Sequence, residues 1–194
     1  MTPDTSTKAE MRRAALARRA ALPASAQALF SERLAREGLA LAAHHASRIV
    51  SAFHPVRDEP DTLALLDKLA ARGLLTALPV TGQRGEPLVF RRWRPGEPTV
   101  PGPMRIPEPA PEAPAVDPDL LFVPLAAFDR RGHRIGYGAG HYDRTLARLK
   151  GLHRIVAVGV AYGVSEVEAV PEEPHDEPLD YILTESELIT TKAS

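Results

Sequence analysis

Leu120-Leu-Phe-Val-Pro-Leu125, followed by Asp129-Arg-Arg-Gly-His-Arg-Ile-Gly-Tyr-Gly-Ala-Gly-His-Tyr-Asp143, is the stretch that decides how this chain is read. The apolar run predicts a buried strand, and His141–Leu149 predicts a helix, so the glycine-rich segment is a loop leaving a strand and entering a helix. Gly136, Gly138 and Gly140 leave alternate backbone positions without Cβ atoms, where N–H groups can approach an anion or adopt φ > 0. Arg130, Arg131 and Arg134 add charge that a simple tight turn does not require, which favours an anion cradle. The loop is neither a Walker A sequence nor a dinucleotide fingerprint, because the glycine spacing and the required partner residues are absent.

Outward from that loop, helices and strands alternate. Residues 5–22 predict a helix stopped by Pro23, and a second helix runs from about Ser25 to His44. Arg48–Phe53 is a short strand. Asp61 or Thr62 can cap a third helix, Leu63–Arg72, closed by Gly73. Leu74–Val80 and Pro87–Arg92 are strands around the turn Thr81–Glu86. A Pro-rich connection spans 95–118, Arg154–Val160 and residues 180–184 are further strands, and Glu185–Ser194 reads as a polar tail. The pattern predicts a single α/β domain over 1–194, three-layered, with a mostly parallel or mixed sheet flanked by helices and loose termini at 1–5 and 189–194.

Composition narrows the function classes. Hydrophobic content of 44% and charged content of 25% are those of an ordinary globular protein. A formal net charge of -1 supplies no basic field for nucleic acid. The absence of cysteine removes thiolate nucleophiles and Cys-ligated zinc, and is compatible with a reducing cytoplasm. No run reaches the roughly 20 apolar residues of a membrane span. The expectation is a cytoplasmic monomer.

Outside the loop, candidate residues each carry two readings. Lys8 and Arg12, four apart on one helix face, form either a cation pair for a phosphate tail or a solvated face, and Arg13, Arg18 and Arg19 fit the solvated face. Glu59, between a strand and a helix, is a ligand candidate, whereas Asp61 is better explained as a cap. Asp143 and the pair Asp176 and Asp180 offer the oxygen donors Mg²⁺ prefers, or serve as capping and turn residues. The histidines show no metal-binding spacing. Trp93 either lines a pocket or packs in the core. With no Ser-His-Asp arrangement in a recognisable motif, positioning and electrostatics are favoured over covalent catalysis.

The segment Asp129-x-x-Gly132-x-Arg134-Ile135-Gly136-Tyr137-Gly138-x-Gly140-x-Tyr142-Asp143 resembles the signature of the 5-formyltetrahydrofolate cyclo-ligase family. Lys8-x-x-x-Arg12, Glu59-Pro-Asp-Thr62, Asp119-Leu-Leu-Phe-Val-Pro124 and His175-Asp176 with Asp180 extend the likeness over about residues 8–188. The resemblance implies ATP- and Mg²⁺-dependent conversion of 5-formyltetrahydrofolate, with or without a polyglutamate tail, to 5,10-methenyltetrahydrofolate. It implies that Lys8, Arg12, Arg134, Gly136, Gly138, Gly140 and Tyr142 bind ATP, with Arg134 and Tyr142 catalytic. By the same likeness His54, Glu59, Met104, Tyr137 and His141 bind the folate, and Asp143 and Asp176 ligate Mg²⁺. Two positions depart from many members: His141 stands where an aromatic residue is common, and Ser165 where glutamine is common. A binding paralogue without turnover is the competing class, and a sugar-phosphate or CoA-handling α/β protein the third.

Overall fold

A computed structural model describes residues 7–191, with the side chain of Met104 outside the description. The elements run α1 (Lys8–Ala20), α2 (Ala24–His44), β1 (Ile49–Ser51), α3 (Leu63–Ala71), β2 (Leu75–Val80), β3 (Val89–Arg92), β4 (Thr99–Pro101), β5 (Pro107–Pro109) and β6 (Ala115–Val116). Then follow β7 (Leu120–Pro124), β8 (Ala127–Phe128), β9 (Arg134–Ile135), α4 (His141–Lys150), β10 (Val156–Val160), β11 (Tyr181–Leu183) and β12 (Leu188–Thr190). The central sheet has the order β12-β11-β10-β7-β1-β2-β3-β6. Its inner strands β11, β10, β7, β1 and β2 are parallel, and β12, β3 and β6 join antiparallel at the two sides.

Strand alternation builds the layers. Leu120 and Phe122 of β7 join Phe30, Leu34 and Leu65 of α2 and α3 in one core, while Leu121 and Val123 join Leu146 and Leu149 of α4 in another. Successive side chains of a strand point to opposite faces, so one apolar run is buried on both sides, as a parallel sheet requires. Full burial of each such side chain stabilises by roughly 1.5–3 kcal/mol. On α2 the buried positions Phe30, Leu34, Gly38 and Leu41 fall on one helical face. A Cβ at Gly38 would lie 2.5 Å from Leu65 Cδ1, so the small residue lets α2 and α3 approach closely.

The expected α/β architecture is present, with corrections at its ends. Ile189 and Thr190, assigned to a loose terminus, pair with Ile182 and Tyr181 in β12. Thr184 Oγ1 accepts the Glu187 N–H at 3.0 Å and turns the chain back, so the apolar pair Leu188-Ile189 completes a hairpin instead of a tail. The 95–118 connection carries the β4–β5 hairpin and β6. Trp93 is core, with its indole N–H on the Glu97 carbonyl. At α3, Asp61 accepts the Leu63 N–H at 2.9 Å, while the Thr62 hydroxyl bonds the Phe53 carbonyl.

The parallel strands follow the spatial order 2-1-3-4-5 in chain sequence, so the winding direction reverses between β1 and β7. Ligands of such sheets gather beyond the carboxyl ends of the strands at that reversal. Here β1 leads into the segment 52–62 and β7 leads, through the small β8–β9 ribbon, into the glycine loop. Helix α1 lies against that ribbon, with Ala15 and Met11 packed among Ala127, Ile135 and Val170.

Candidate active site

Helix α1 begins with a capping box in which Thr7 and Glu10 satisfy each other's backbone N–H groups, fixing Lys8 at its first position. Lys8 Nζ lies 2.7 Å from Asp176 Oδ2 and 3.6 Å from Glu173 Oε1. One turn on, Arg12 Nε donates to the Gly136 carbonyl at 2.6 Å. The guanidinium lies 3.8 Å from where a Gly138 Cβ would stand. Lys8 and Arg12 therefore meet the glycine loop and the 173–177 turn; they are not a solvated pair.

Gly138 and Gly140 adopt φ of 98° and 65°, and Gly140 is the N-cap of α4 with no side-chain cap. L side chains avoid these conformations, which accounts for glycine at both positions. Gly136 has no positive φ, and a Cβ there would meet open space. Among the described residues no N-cap side chain bonds the first-turn N–H groups of α4, and the dipole of the helix favours an anion at that end.

Arg134 leaves β9 with its guanidinium divided between two partners. Nη2 donates to Asp143 Oδ1 at 2.7 Å and Nη1 to the Glu177 carbonyl. Asp143 Oδ1 also accepts the Glu177 N–H at 3.2 Å, which docks the turn carrying Asp176 beside α4. Asp176 Oδ2 takes Lys8 and the Glu173 N–H at 2.9 Å. Burial raises the Asp176 pKa, but Lys8 and that N–H outweigh it and hold the carboxyl below the usual aspartate range. Among the described residues, each of these carboxylates has one oxygen braced by the protein and no protein donor on the other. That arrangement suits a hard cation shared with phosphate oxygens. Glu173, His175 and Asp176 lie close enough together to hold an ion, but Lys8 already occupies the acidic side of that group.

On the other flank, Glu59 is 6% exposed. Its Oε2 accepts the Val56 N–H at 2.9 Å, Oε1 accepts the Tyr137 hydroxyl, and its carbonyl takes Gln27 Nε2 at 2.8 Å. Burial pushes the Glu59 pKa up, against the opposing effect of Tyr137. Tyr142 is half-buried, and its hydroxyl is buried and unpartnered among the described residues. Burial, and then the Glu59 charge, raise its pKa, so it stays a protonated donor. His54 Nδ1 lies 3.3 Å from the Pro55 carbonyl. His141 Nδ1 lies 2.8 Å from the Glu86 carbonyl, which ties α4 to the β2–β3 turn. The Met104 side chain lies outside the described residues.

Several sequence expectations need correction. Arg130 is spent on Glu166 and Glu187 at 2.7 and 2.5 Å, and Arg131 on Asp129 and Glu172 at 2.7 and 2.5 Å. They brace the loop base and do not line the cradle. Asp180 Oδ2 accepts the Ala157 N–H of the interior strand β10 at 2.9 Å, just before β11 begins, a structural bond at the end of the strands opposite the glycine loop. Arg19, assigned to a solvated face, is 6% exposed. It donates to the Tyr137 hydroxyl at 2.9 Å and to Asp58 at 3.1 Å. A signal for it exists: Lys8, Arg12, buried Ala15 and Arg19 follow the i, i+4, i+7, i+11 stripe of one helix face.

The model of the 5-formyltetrahydrofolate cyclo-ligase family matches residues 4–185. The chain is 34% identical over 185 residues to the 5-formyltetrahydrofolate cyclo-ligase of Mycolicibacterium smegmatis, covering 91% of this chain and 93% of that protein. It is 33% identical over 170 residues to that of Haemophilus influenzae, covering 85% and 90%. The NMR structure of Aquifex aeolicus 5,10-methenyltetrahydrofolate synthetase superposes with a TM-score of 0.80 at 27% identity, covering 96% of this chain and 94% of that one.

Proposed function

This chain belongs to the 5-formyltetrahydrofolate cyclo-ligase family, and from that premise we propose that it converts 5-formyltetrahydrofolate to 5,10-methenyltetrahydrofolate with consumption of ATP. The observation that carries the reading is the meeting of two flanks at one loop. The uncapped, glycine-lined start of α4 has Arg12 beside it, and Tyr137 of the same loop bonds Glu59.

In this reading the first turn of α4, Lys8 and Arg12 hold the ATP phosphates. Glu59 accepts N–H groups of the reduced pterin, with His54, Tyr137, His141 and Met104 as its surroundings. The formyl oxygen attacks the γ-phosphorus, a P–O bond forms, and the bond to the ADP oxygen breaks. An amide oxygen is a poor leaving group until phosphorylated. N10 then adds to the activated carbon and loses its proton, and the C–O bond breaks to release phosphate. Phosphoryl transfer of this kind needs alignment and charge stabilisation, without a nucleophilic side chain. Arg134 stabilises charge developing on the transferred group, and the unpartnered Tyr142 hydroxyl supplies a donor to it. The open oxygens of Asp143 and Asp176 would hold Mg²⁺, which neutralises phosphate charge.

Purified protein given 5-formyltetrahydrofolate, ATP and Mg²⁺ should develop the near-ultraviolet absorbance of the conjugated methenyl product, one phosphate released per turnover. Folate binding without that signal would replace the enzyme reading with a binding paralogue.

A further inference from the structure

We propose that Arg19 is a positioning residue of the folate flank, locking the Tyr137 hydroxyl against Glu59 so that an aromatic ring and a carboxylate are presented together to the substrate. The inference rests on the reading of this flank as the folate site. Arg19 Nη1 donates to the Tyr137 hydroxyl at 2.9 Å, and that hydroxyl donates to Glu59 Oε1. Nη2 donates to Asp58 at 3.1 Å, so one guanidinium ties the segment after β1 to the glycine loop. A guanidinium only donates and a carboxylate only accepts, so the hydroxyl between them has a single orientation.

Tyr137 as a residue remains 48% exposed although its hydroxyl is held by these partners. A tyrosine fixed at its hydroxyl and open on its ring is a stacking platform, and the adjacent Glu59 accepts N–H groups at the edge of whatever stacks there. That pairing suits a flat heterocycle bearing ring and amino N–H donors. Support of the fold alone does not explain Arg19. Its Nε is buried without a partner among the described residues, and burying an incompletely paired cation costs stability that an apolar residue would not.

The same helix carries Lys8 and Arg12 on the phosphate flank, so the effects of its cations should sort by position. Calorimetric binding of 5-formyltetrahydrofolate without ATP, and steady-state KM for both substrates, are to be measured for the full chain. The set is wild type, Arg19→Met, Arg19→Lys, Tyr137→Phe and the Arg19→Met/Tyr137→Phe double variant. Arg19→Met should weaken folate binding and raise its KM on the order of tenfold, as expected for one charge-assisted hydrogen bond. The ATP KM should stay within about twofold, and the double variant should bind no worse than the weaker single variant. Arg19→Lys should recover part of the loss. Unchanged folate binding in Arg19→Met, equal rises in both KM values, or losses that multiply in the double variant would each overturn the proposal. Should Arg19→Met fail to unfold cooperatively, Arg19→Lys takes its place. Folate binding or KM equal to wild type in that variant, or the same loss in both KM values, overturns the proposal. Wild-type protein that binds no folate would instead remove the functional reading, and this inference with it.

Discussion

Arg134 Nη2 lies 2.7 Å from Asp143 Oδ1, and both residues also bond the backbone of Glu177. The cation assigned to the transferred phosphoryl group and the carboxylate assigned to the metal are thus one unit, anchored to the turn that bears Asp176. Arg134→Ala and Asp143→Ala should each lower turnover on the order of 10²-fold or more. Because the two share partners, the double variant should fall well short of the product of the single losses. Single-turnover rates for the three variants test this. A near-normal rate in either single variant rejects the cradle.

Asp176 is held ionised by Lys8 at 2.7 Å. Asp176→Asn should raise the Mg²⁺ concentration needed for half-maximal activity by tenfold or more, in line with the loss of one of two carboxylates. Lys8→Met should raise the ATP KM with the folate KM little changed. Titrations of metal and nucleotide separate the two. Mg²⁺ dependence unaltered in Asp176→Asn would exclude it as a ligand.

The Glu59 pKa is raised by burial, so its carboxylate is protonated at a higher pH than the ~4.3 of an unperturbed glutamate. In the proposed reading the ionised form would accept the pterin N–H groups and the protonated form would not. The folate KM should therefore rise as pH falls through a value above the ordinary glutamate range. Glu59→Gln should remove that acid limb and weaken folate binding at neutral pH. An identical limb in Glu59→Gln would assign the titration to another group.

Asp129 is fully buried at the base of the loop and accepts the N–H groups of Arg131, His133 and Val170 together with the Arg131 guanidinium. Burial acts to raise its pKa, but these donors win and hold it below the usual range. A depressed folded-state pKa stabilises the fold above the unfolded value of ~3.9, and the contribution is lost as pH falls through the folded value. Asp129→Ala should cost about 3 kcal/mol by stranding those donors, lowering Tm on the order of 10 °C. Thermal unfolding at neutral and acid pH checks both statements. A Tm within ~2 °C of wild type would show that the loop base does not depend on it.

The sequence by itself determined the features that are local in the chain. The alternation of helices and strands, the doubly buried β7, the capping carboxylate of Asp61 and the glycine loop opening a helix all follow from spacing, turn chemistry and backbone sterics within a few residues. The hairpin at 184–190 was missed because a short apolar pair in a polar stretch has too little periodicity to announce a strand. Only the tertiary structure decided which charges do what. Arg130 and Arg131 sit in the loop's sequence yet are neutralised by Glu166, Glu187, Asp129 and Glu172, whereas Arg19, far from it, reaches Tyr137 across 118 residues. Lys8 finds Asp176 across 168. A cation's role depends on which partner the fold brings within a few ångströms and on how much water remains around it, and neither quantity is written in its neighbours along the chain.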